Sequence, residues 1–194
     1  MLVLYFSPGS SSMATHIALH EIGAPFETRL IALSKKEQHR ADYLAVNPEG
    51  KVPTLLIEGR PLTEVAATLY YLAKTYPAAE LWPAGGIEEE AQALSWMSFI
   101  ASTVHPARRI GDDRWGEVFG LAEERLGAKE WCVGGRYSIA DIHLFRLFWR
   151  FFNTLHPEPA AYPQLYRHYE RMMARPAVRK TCEIESALGY NLPR

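Results

Sequence analysis

The stretch Asn47-Pro48-Glu49-Gly50-Lys51-Val52-Pro53-Thr54-Leu55-Leu56-Ile57 decides the fold of this chain, because a loop framed by two prolines runs directly into an apolar strand. Pro53 has no N–H to donate to a sheet, so we expect it at the first position of the strand or at a sheet edge. We predict that the Val52–Pro53 peptide is cis, with the N–H and C=O of Val52 turned outward. The loop is therefore a predicted docking edge for an extended peptide.

Glu64 lies just beyond this strand, immediately before an apolar-periodic run from Val65 to Tyr76 that predicts a helix. The first turn of a helix carries free N–H groups and the positive end of the helix dipole, both of which favour a carboxylate. Together, the docking edge and this helix N-terminus predict a site for an extended peptide with a free carboxylate.

The flanking segments complete a small α/β domain. Leu2 to Phe6 is a continuous apolar run, typical of a strand buried on both faces. Ser10, Ser11 and Ser12 are possible N-caps of a helix that ends at Gly23, and Phe26 to Leu33 predicts a second, parallel strand. With the hairpin at residues 54–63 and the helix after it, the order βαβ–ββα is that of a thioredoxin-like domain over residues 1–76.

A proline-rich, glycine-rich and alanine-rich segment at residues 77–86 predicts a linker, and residues 87–194 predict an all-helical domain. An apolar stripe predicts one helix from Ile87 that ends at Pro106. The other helical patterns are Glu117–Leu126, the run that starts at Ser138, Tyr162–Ala174 and Pro176–Leu188. Ser138 and Asp141 have the spacing of a capping box, so we interpret Asp141 as structural rather than catalytic.

Composition excludes several classes of protein. The 194 residues are 48% hydrophobic and 22% charged with a net charge of −1, so neither nucleic acid nor a membrane surface is a predicted partner. Cys132 and Cys182 lie 50 residues apart without metal-ligand spacing, so we expect no metal and a reducing cytoplasm. No uncharged run approaches 18 residues, and no export signal opens the chain, so we expect no membrane span and no secretion.

The pattern N-P-x-G-K-V-P-x-L followed by L-T-E resembles the glutathione transferases, most closely the bacterial beta class. The resemblance implies glutathione as co-substrate, a hydrophobic electrophile as second substrate, a homodimer and a role in detoxification. It is also carried by Pro8-Gly9-Ser10-Ser11-Ser12, His16-Ile17-Ala18-Leu19, Thr103-Val104-His105 and Tyr137-Ser138-Ile139-Ala140-Asp141.

The resemblance also implies which residues act. Beta-class relatives carry a cysteine where this chain has Ser11, which can donate a hydrogen bond to the glutathione thiolate but cannot form a mixed disulfide. Ser10 and Tyr5 are the alternatives for this role, although Ser11 could be a simple N-cap and Tyr5 a core aromatic. The predicted glutathione contacts are Lys36, Val52, Pro53, Glu64, Val65 and His105. Weaker candidates, for the second-substrate pocket, are Arg108, Arg109 and Trp115.

Other functions stay open at this point. The missing cysteine is compatible with a glutathione-binding carrier that has lost its chemistry, and it disfavours a glutathione-dependent thiol–disulfide oxidoreductase. A maleylacetoacetate isomerase is disfavoured because Met13 and Ala14 stand where that group usually has an arginine.

Overall fold

A computed structural model describes residues 1–190, which form four strands and nine α-helices. The strands are β1 (Leu2–Phe6), β2 (Phe26–Leu30), β3 (Thr54–Ile57) and β4 (Arg60–Thr63). The helices are α1 (Ser12–Ile22), α2 (Ala41–Leu44), α3 (Val65–Thr75), α4 (Ile87–Phe99), α5 (His105–Ile110), α6 (Asp112–Leu126), α7 (Ile139–Leu155), α8 (Pro163–Ala174) and α9 (Pro176–Leu188). The predicted class, a thioredoxin-like domain with a helical domain, is confirmed.

The four strands make one mixed sheet in the order β2-β1-β3-β4. β1 pairs with β2 in parallel and with β3 antiparallel, and β3 pairs with β4 antiparallel. α1 is the crossover between the two parallel strands, as predicted, and it ends at Gly23, whose φ of 67° is the left-handed conformation that glycine adopts easily. The continuous burial of β1 follows from its position inside the sheet.

The described residues divide into two compact units. The first contains residues 1–79 together with 176–190, because α9 packs against α1. The second contains residues 80–175. The predicted all-helical domain of residues 87–194 includes α9, whereas the contacts of α9 group it with the sheet. The proposed linker at 77–86 stays a prediction.

The helical unit has one apolar core. α7 is buried over most of its length, which explains why its sequence is too apolar for a surface helix. Trp115 is only 1% exposed and packs against Phe119 and Phe151, so it is a core residue and does not line a substrate pocket.

The predicted capping box at the start of α7 is present. The Ser138 hydroxyl accepts from the N–H of Ala140 at 3.3 Å, and Asp141 Oδ2 accepts from the N–H of Ser138 at 2.9 Å. Both side chains therefore satisfy N–H groups at the helix start, as the structural interpretation of Asp141 requires.

Two helix boundaries differ from the prediction. Pro106 does not end a helix, because one π-helical turn (Ile100–Val104) follows α4 and Pro106 falls in the first turn of α5, where a missing N–H is harmless. α6 begins at Asp112 rather than at Glu117, and the acidic side chains of Asp112 and Asp113 in its first turn favour that start through the helix dipole.

Candidate active site

The sheet register brings three predicted site segments to one edge. β1 and β4 point in the same direction, because each is antiparallel to β3. Thr54, the first residue of β3, pairs with Tyr5 on one side and with Thr63 on the other. Pro53 therefore lies beside the C-terminal ends of β1 and β4. α1 starts after β1 and α3 starts after β4, so both helix N-termini lie at this edge.

A buried hydrogen bond ties these two helices together near their N-termini. Thr15 Oγ1 and Thr68 Oγ1 are 2.8 Å apart, and both residues are fully buried. Ser11 precedes Thr15 by one helical turn, and Glu64 precedes Thr68 by one turn. Ser11 and Glu64 are thus held at equivalent heights on neighbouring helices, with the positive ends of both helix dipoles at the same edge.

The three serines after β1 are not equivalent. Ser12 is fully buried: its Oγ accepts from the N–H of Ser7 at 3.0 Å and donates to the Ser7 carbonyl at 3.1 Å. Ser10 is 5% exposed, and its Oγ lies 2.7 Å from that of Ser12. Ser11 is partly exposed, and its hydroxyl makes no hydrogen bond to any residue between 1 and 190. Ser11 therefore has the hydroxyl that is available to a ligand.

A carboxylate from the last helix holds the turn that precedes Ser11. Glu185 on α9 is fully buried, and its Oε2 accepts from the N–H of Gly9 at 2.6 Å. Its Oε1 lies 2.8 Å from His16 Nδ1 on α1. Sequence analysis missed this residue. The only signal was its position on the buried stripe of α9, in register with Val178 and Thr181.

The loop before β3 is shaped by Asn47 and Tyr43. Asn47 is 2% exposed, and its Nδ2 donates to the Lys51 carbonyl at 2.9 Å and to Thr54 Oγ1 at 3.1 Å. The Tyr43 hydroxyl also donates to the Lys51 carbonyl and lies 2.9 Å from Thr54 Oγ1. Burial raises the pKa of Tyr43, so it is a neutral donor at pH 7. These contacts fix the chain directly before Val52.

The Val52–Pro53 peptide is cis, as predicted. Pro53 is buried and Val52 is partly buried.

Glu64 has an unusual backbone conformation. Its φ of 66° and ψ of 128° lie outside the regions that residues with a Cβ normally occupy, and its side chain is exposed and does not cap α3. Its carbonyl accepts from the N–H of Thr68 at 3.0 Å, as the first bond of the helix. Val65, the next residue, is buried. The strain holds the Glu64 carboxylate in solvent at the edge of the sheet, where the helix N-termini meet.

Tyr5 lies in a different environment. It is 8% exposed and packs with Tyr43 and Ile31, with its ring 5.3 Å from that of Tyr43. Arg29 Nη1 donates to its hydroxyl at 2.7 Å. Tyr5 therefore matches the core-aromatic alternative of the sequence analysis, with a hydroxyl that is already hydrogen-bonded.

Comparison with known proteins gives the family. The model of the glutathione S-transferase N-terminal domain matches residues 1–74, and that of the C-terminal domain matches residues 93–176. The chain belongs to the glutathione S-transferase family. It is 30% identical to the glutathione S-transferase GstA of Escherichia coli O157:H7 over 94% of this chain and 98% of that protein. Proteins named as maleylacetoacetate isomerases also match, among them a probable one from Vibrio cholerae.

Solved structures agree with this assignment. The beta-class glutathione S-transferase of Sphingomonas chungbukensis is 34% identical, with a TM-score of 0.84 over 94% of this chain and 98% of that one. A sphingomonad glutathione S-transferase in complex with glutathione is 33% identical, with a TM-score of 0.85 over 95% of this chain and 98% of that one. The protein is thus a glutathione transferase, similar to the bacterial beta class.

The other two predicted glutathione contacts of this transferase are Lys36 and His105. Lys36 is exposed in the connection after β2 and has a left-handed backbone with a φ of 56°. His105 belongs to the helical unit, where it begins α5 directly after the π-helical turn and lies near His143.

One group of side chains in the described part of the transferase is close enough to hold a metal ion: Cys132, Asp141 and His168, all buried. Its carboxylate is already in use, because Asp141 Oδ1 accepts from the N–H of Cys132 at 2.8 Å and lies 3.0 Å from His168 Nε2. Burial, and then the neighbouring Asp141, raise the pKa of the Cys132 thiol well above its ordinary value, which disfavours the thiolate that a metal needs. The group is explained by hydrogen bonding around the start of α7. Within residues 1–190, no helix combines the length and apolarity that a membrane crossing requires.

Proposed function

We propose that this transferase joins the thiolate of glutathione to a hydrophobic electrophile, and that the Ser11 hydroxyl donates a hydrogen bond to the sulfur. The thiol of free glutathione resembles that of cysteine, with a pKa near ~8.5, so only a minor fraction is nucleophilic at pH 7. A hydrogen-bond donor that stabilises the thiolate lowers the pKa of the thiol, so that the thiol loses its proton to solvent at pH 7. The sulfur then forms a C–S bond with the electrophilic carbon as the leaving group departs.

The observation that supports Ser11 is the difference among the three serines. The hydroxyls of Ser10 and Ser12 bond to one another, whereas that of Ser11 has no partner within residues 1–190. Ser11 also precedes the first turn of α1, and the positive end of the helix dipole there favours the same anion. A preorganised donor of this kind stabilises developing or full negative charge without reorganisation during the reaction.

The glutathione backbone is proposed to pair with the N–H and C=O of Val52, beside Pro53. The Glu64 carboxylate is proposed to accept a hydrogen bond from the γ-glutamyl amine. The N–H of Val65 is proposed to donate to the γ-glutamyl carboxylate. The strained backbone of Glu64 supports this role, since strain of this kind is concentrated at functional sites. Lys36 is proposed to pair with the glycine carboxylate, and His105 to contact the ligand.

The decisive experiment compares three variants of the hydroxyl. Absorbance of the bound thiolate is titrated against pH for wild type, Ser11→Ala, Ser10→Ala and Tyr5→Phe. We expect Ser11→Ala to raise the pKa of bound glutathione and to lower turnover at neutral pH by something on the order of 10²-fold. Tyr5→Phe should change neither, because the Tyr5 ring is only 8% exposed and packs against Ile31 and Tyr43. A shift in Tyr5→Phe with none in Ser11→Ala would reverse the assignment.

A glutathione-binding carrier without efficient chemistry is the second candidate, because a serine replaces the expected cysteine. Retention on immobilised glutathione, measured beside turnover of a generic chloronitroarene, separates the two. Binding without turnover favours the carrier. A maleylacetoacetate isomerase activity is supported by relatives of that name. It is disfavoured by Met13 and Ala14, which stand where that group usually has an arginine.

We further propose that the protein is a cytoplasmic homodimer that acts in detoxification. Cys132 and Cys182 are both free thiols, which supports a reducing compartment. Size-exclusion chromatography with light scattering tests the dimer: a mass of one chain at micromolar concentration rejects it.

A further inference from the structure

A cavity of about 480 Å³ opens on the surface of the unit that contains the sheet. Residues of α1, β2 and α9 contribute to its walls, and most of them are apolar. The nitrogen-bearing side chains on the walls are His16, His20 and Lys180. Small ligands and ions typically bind in concave sites of this kind, where a few polar groups converge between apolar walls.

The two histidines are arranged as a pair. They are four residues apart on α1, so they share one face of the helix, and histidines at this spacing are a recurring metal-binding pair. Their ring centroids are 4.9 Å apart, and the ring of Phe26 packs edge-on against both. A metal ion about 2.0–2.1 Å from one nitrogen of each ring, at a tetrahedral angle, would hold the centroids roughly 5 Å apart. The pair therefore has the separation that a shared metal ion requires.

Glu185 orients the first histidine. Its Oε1 lies 2.8 Å from His16 Nδ1, and both side chains are buried. A carboxylate accepts the hydrogen bond, so Nδ1 carries the proton and, in the neutral ring, Nε2 carries the lone pair. This Nε2 makes no hydrogen bond to any residue between 1 and 190. Metal-binding histidines typically donate their other N–H to a carboxylate in the same way.

His20 supplies a second nitrogen without a partner. Its Nε2 is buried and makes no hydrogen bond in the described part of the chain. A buried polar atom of this kind indicates a missing bonding group. Burial, followed by the charges of His16 and Lys180, lowers the pKa of His20 to about 4, so its ring is neutral at pH 7.

We propose that the Nε2 atoms of His16 and His20 bind one divalent transition-metal ion such as Zn²⁺. Imidazole suits Zn²⁺, Ni²⁺ and Cu²⁺, whereas Mg²⁺ and Ca²⁺ prefer oxygen ligands. Within residues 1–190, no third histidine, cysteine or carboxylate lies close enough to join the pair. Water therefore completes the coordination, and the ion is exchangeable, unlike one held by four protein ligands in a structural zinc site.

This site does not depend on the proposed transferase function, because it uses none of the proposed glutathione contacts. The expectation that the chain holds no metal was based on the spacing of Cys132 and Cys182, and neither cysteine belongs to the histidine pair. The link to the candidate catalytic turn is indirect. It runs through Glu185, whose other oxygen accepts from the N–H of Gly9 at 2.6 Å.

The charge of Lys180 distinguishes a cation from an anion in the cavity. Lys180 is exposed, and its ammonium group already disfavours the protonated form of His20. The same repulsion acts on a bound cation, so Lys180→Gln should tighten binding of Zn²⁺ by about two- to fivefold. Weaker binding in Lys180→Gln would overturn the assignment of the site to a cation.

Calorimetric titration of Zn²⁺ into the full chain tests the site, at pH 7, without glutathione and with no affinity tag. We expect one equivalent to bind to wild type, and binding to weaken by about tenfold or more in His20→Gln, which leaves one ligand. His39→Gln, the same change at an exposed histidine of the same unit, should leave binding unchanged. Cys182→Ser on α9 should also leave it unchanged, and Mg²⁺ should give no heat of binding.

NMR of the imidazole nitrogens then identifies the ligand atoms in wild type. Zn²⁺ should shift the Nε2 resonances of His16 and His20, while Nδ1 of His16 stays protonated toward Glu185. This measurement reports on His16 without a substitution, which would leave the buried Glu185 carboxylate without its partner. Zn²⁺ should also raise the thermal midpoint of wild type but not that of His20→Gln. Zinc binding that is unchanged in His20→Gln or lost in Cys182→Ser would overturn the proposal, as would shifts confined to other histidines.

Discussion

Each compact unit of this transferase contains one fully buried carboxylate that faces a histidine. In the helical unit, Asp141 accepts from the N–H groups of Ser138 and Cys132 and lies 3.0 Å from His168 Nε2. In the unit with the sheet, Glu185 accepts from the N–H of Gly9 and lies 2.8 Å from His16 Nδ1. Both carboxylates satisfy backbone N–H groups that have no other place in regular secondary structure.

The two carboxylates differ in how far they reach along the chain. The backbone partners of Asp141 are three and nine residues away, so Asp141 organises the start of its own helix. The partners of Glu185 are 176 and 169 residues away, in the turn before Ser11 and on α1. Asp141 is therefore a determinant of local folding, whereas Glu185 connects the end of the chain to the candidate catalytic turn.

The largest effect should come from Asp141→Ala. The change leaves the N–H groups of Ser138 and Cys132 buried without acceptors, so we expect a loss of about 3–5 kcal/mol in the free energy of unfolding. Urea unfolding at pH 7 measures it, with Ser138→Ala as the milder comparison at about 1 kcal/mol. The pKa of bound glutathione should be unchanged in the folded fraction. A loss of less than 1 kcal/mol would mean that water replaces the carboxylate.

Glu185→Gln should affect both stability and chemistry. An amide can still accept from Gly9 but loses the charged hydrogen bonds, so we expect a loss of about 2–3 kcal/mol in the free energy of unfolding. Because the turn before Ser11 shifts, turnover should fall by roughly tenfold and the pKa of bound glutathione should rise. The control is Glu183→Gln, an exposed glutamate on the same helix. A stability loss with an unchanged thiol pKa would make Glu185 a folding residue like Asp141.

The same difference in reach explains what the sequence could predict. The capping box was predictable because Ser138 and Asp141 are three residues apart and their spacing alone defines the motif. The order of strands and helices along residues 1–76 and the position of Pro53 followed from apolar runs, prolines and short connections, which are also local. The thioredoxin-like class therefore needed no long-range information.

The long-range contacts were not predictable. Nothing near Glu185 indicates that Gly9 is its partner, and the assignment of α9 to the helical domain failed to match the contacts for the same reason. The internal bonding of Ser10 and Ser12, which leaves Ser11 available, also depends on where the buried side of the turn lies. A sequence shows three equivalent hydroxyls, and only the fold distinguishes them.

Two histidines with a buried ring nitrogen, His143 and His20, extend the comparison, because neither faces a carboxylate of the described chain as His168 and His16 do. His143 Nδ1 and His20 Nε2 are buried and have no partner within residues 1–190, and burial is the main cause that lowers the pKa of His143 to about 3 and of His20 to about 4. The unfolded chain binds protons at its ordinary histidine pKa of 6.5. Stability is therefore present above pH 6.5 and is lost as pH falls toward the folded values.

At pH 5 the loss from His143 should be about 2 kcal/mol relative to pH 7, and that from partly exposed His20 somewhat less. Urea unfolding at both pH values measures it. His143→Leu should remove its share of the pH dependence, while His39→Asn, at an exposed histidine, should not. A pH dependence that is the same in His143→Leu would assign the acid sensitivity to other groups.

The smallest change in stability concerns a third carboxylate, Glu64, which contrasts with both buried ones because it is exposed and strained rather than buried and bonded. Glycine adopts a φ of 66° without a Cβ clash, so Glu64→Gly should raise the free energy of unfolding by about 1 kcal/mol. Glu64→Ala keeps the strain and should change stability little.

Both variants lose the carboxylate, so calorimetry should show glutathione binding weakened by about 10-fold or more in each. Higher stability with weaker binding in Glu64→Gly would mean that a glutamate stands at this position for the ligand and at the expense of stability. If both variants bind glutathione as wild type does, the γ-glutamyl group is held elsewhere.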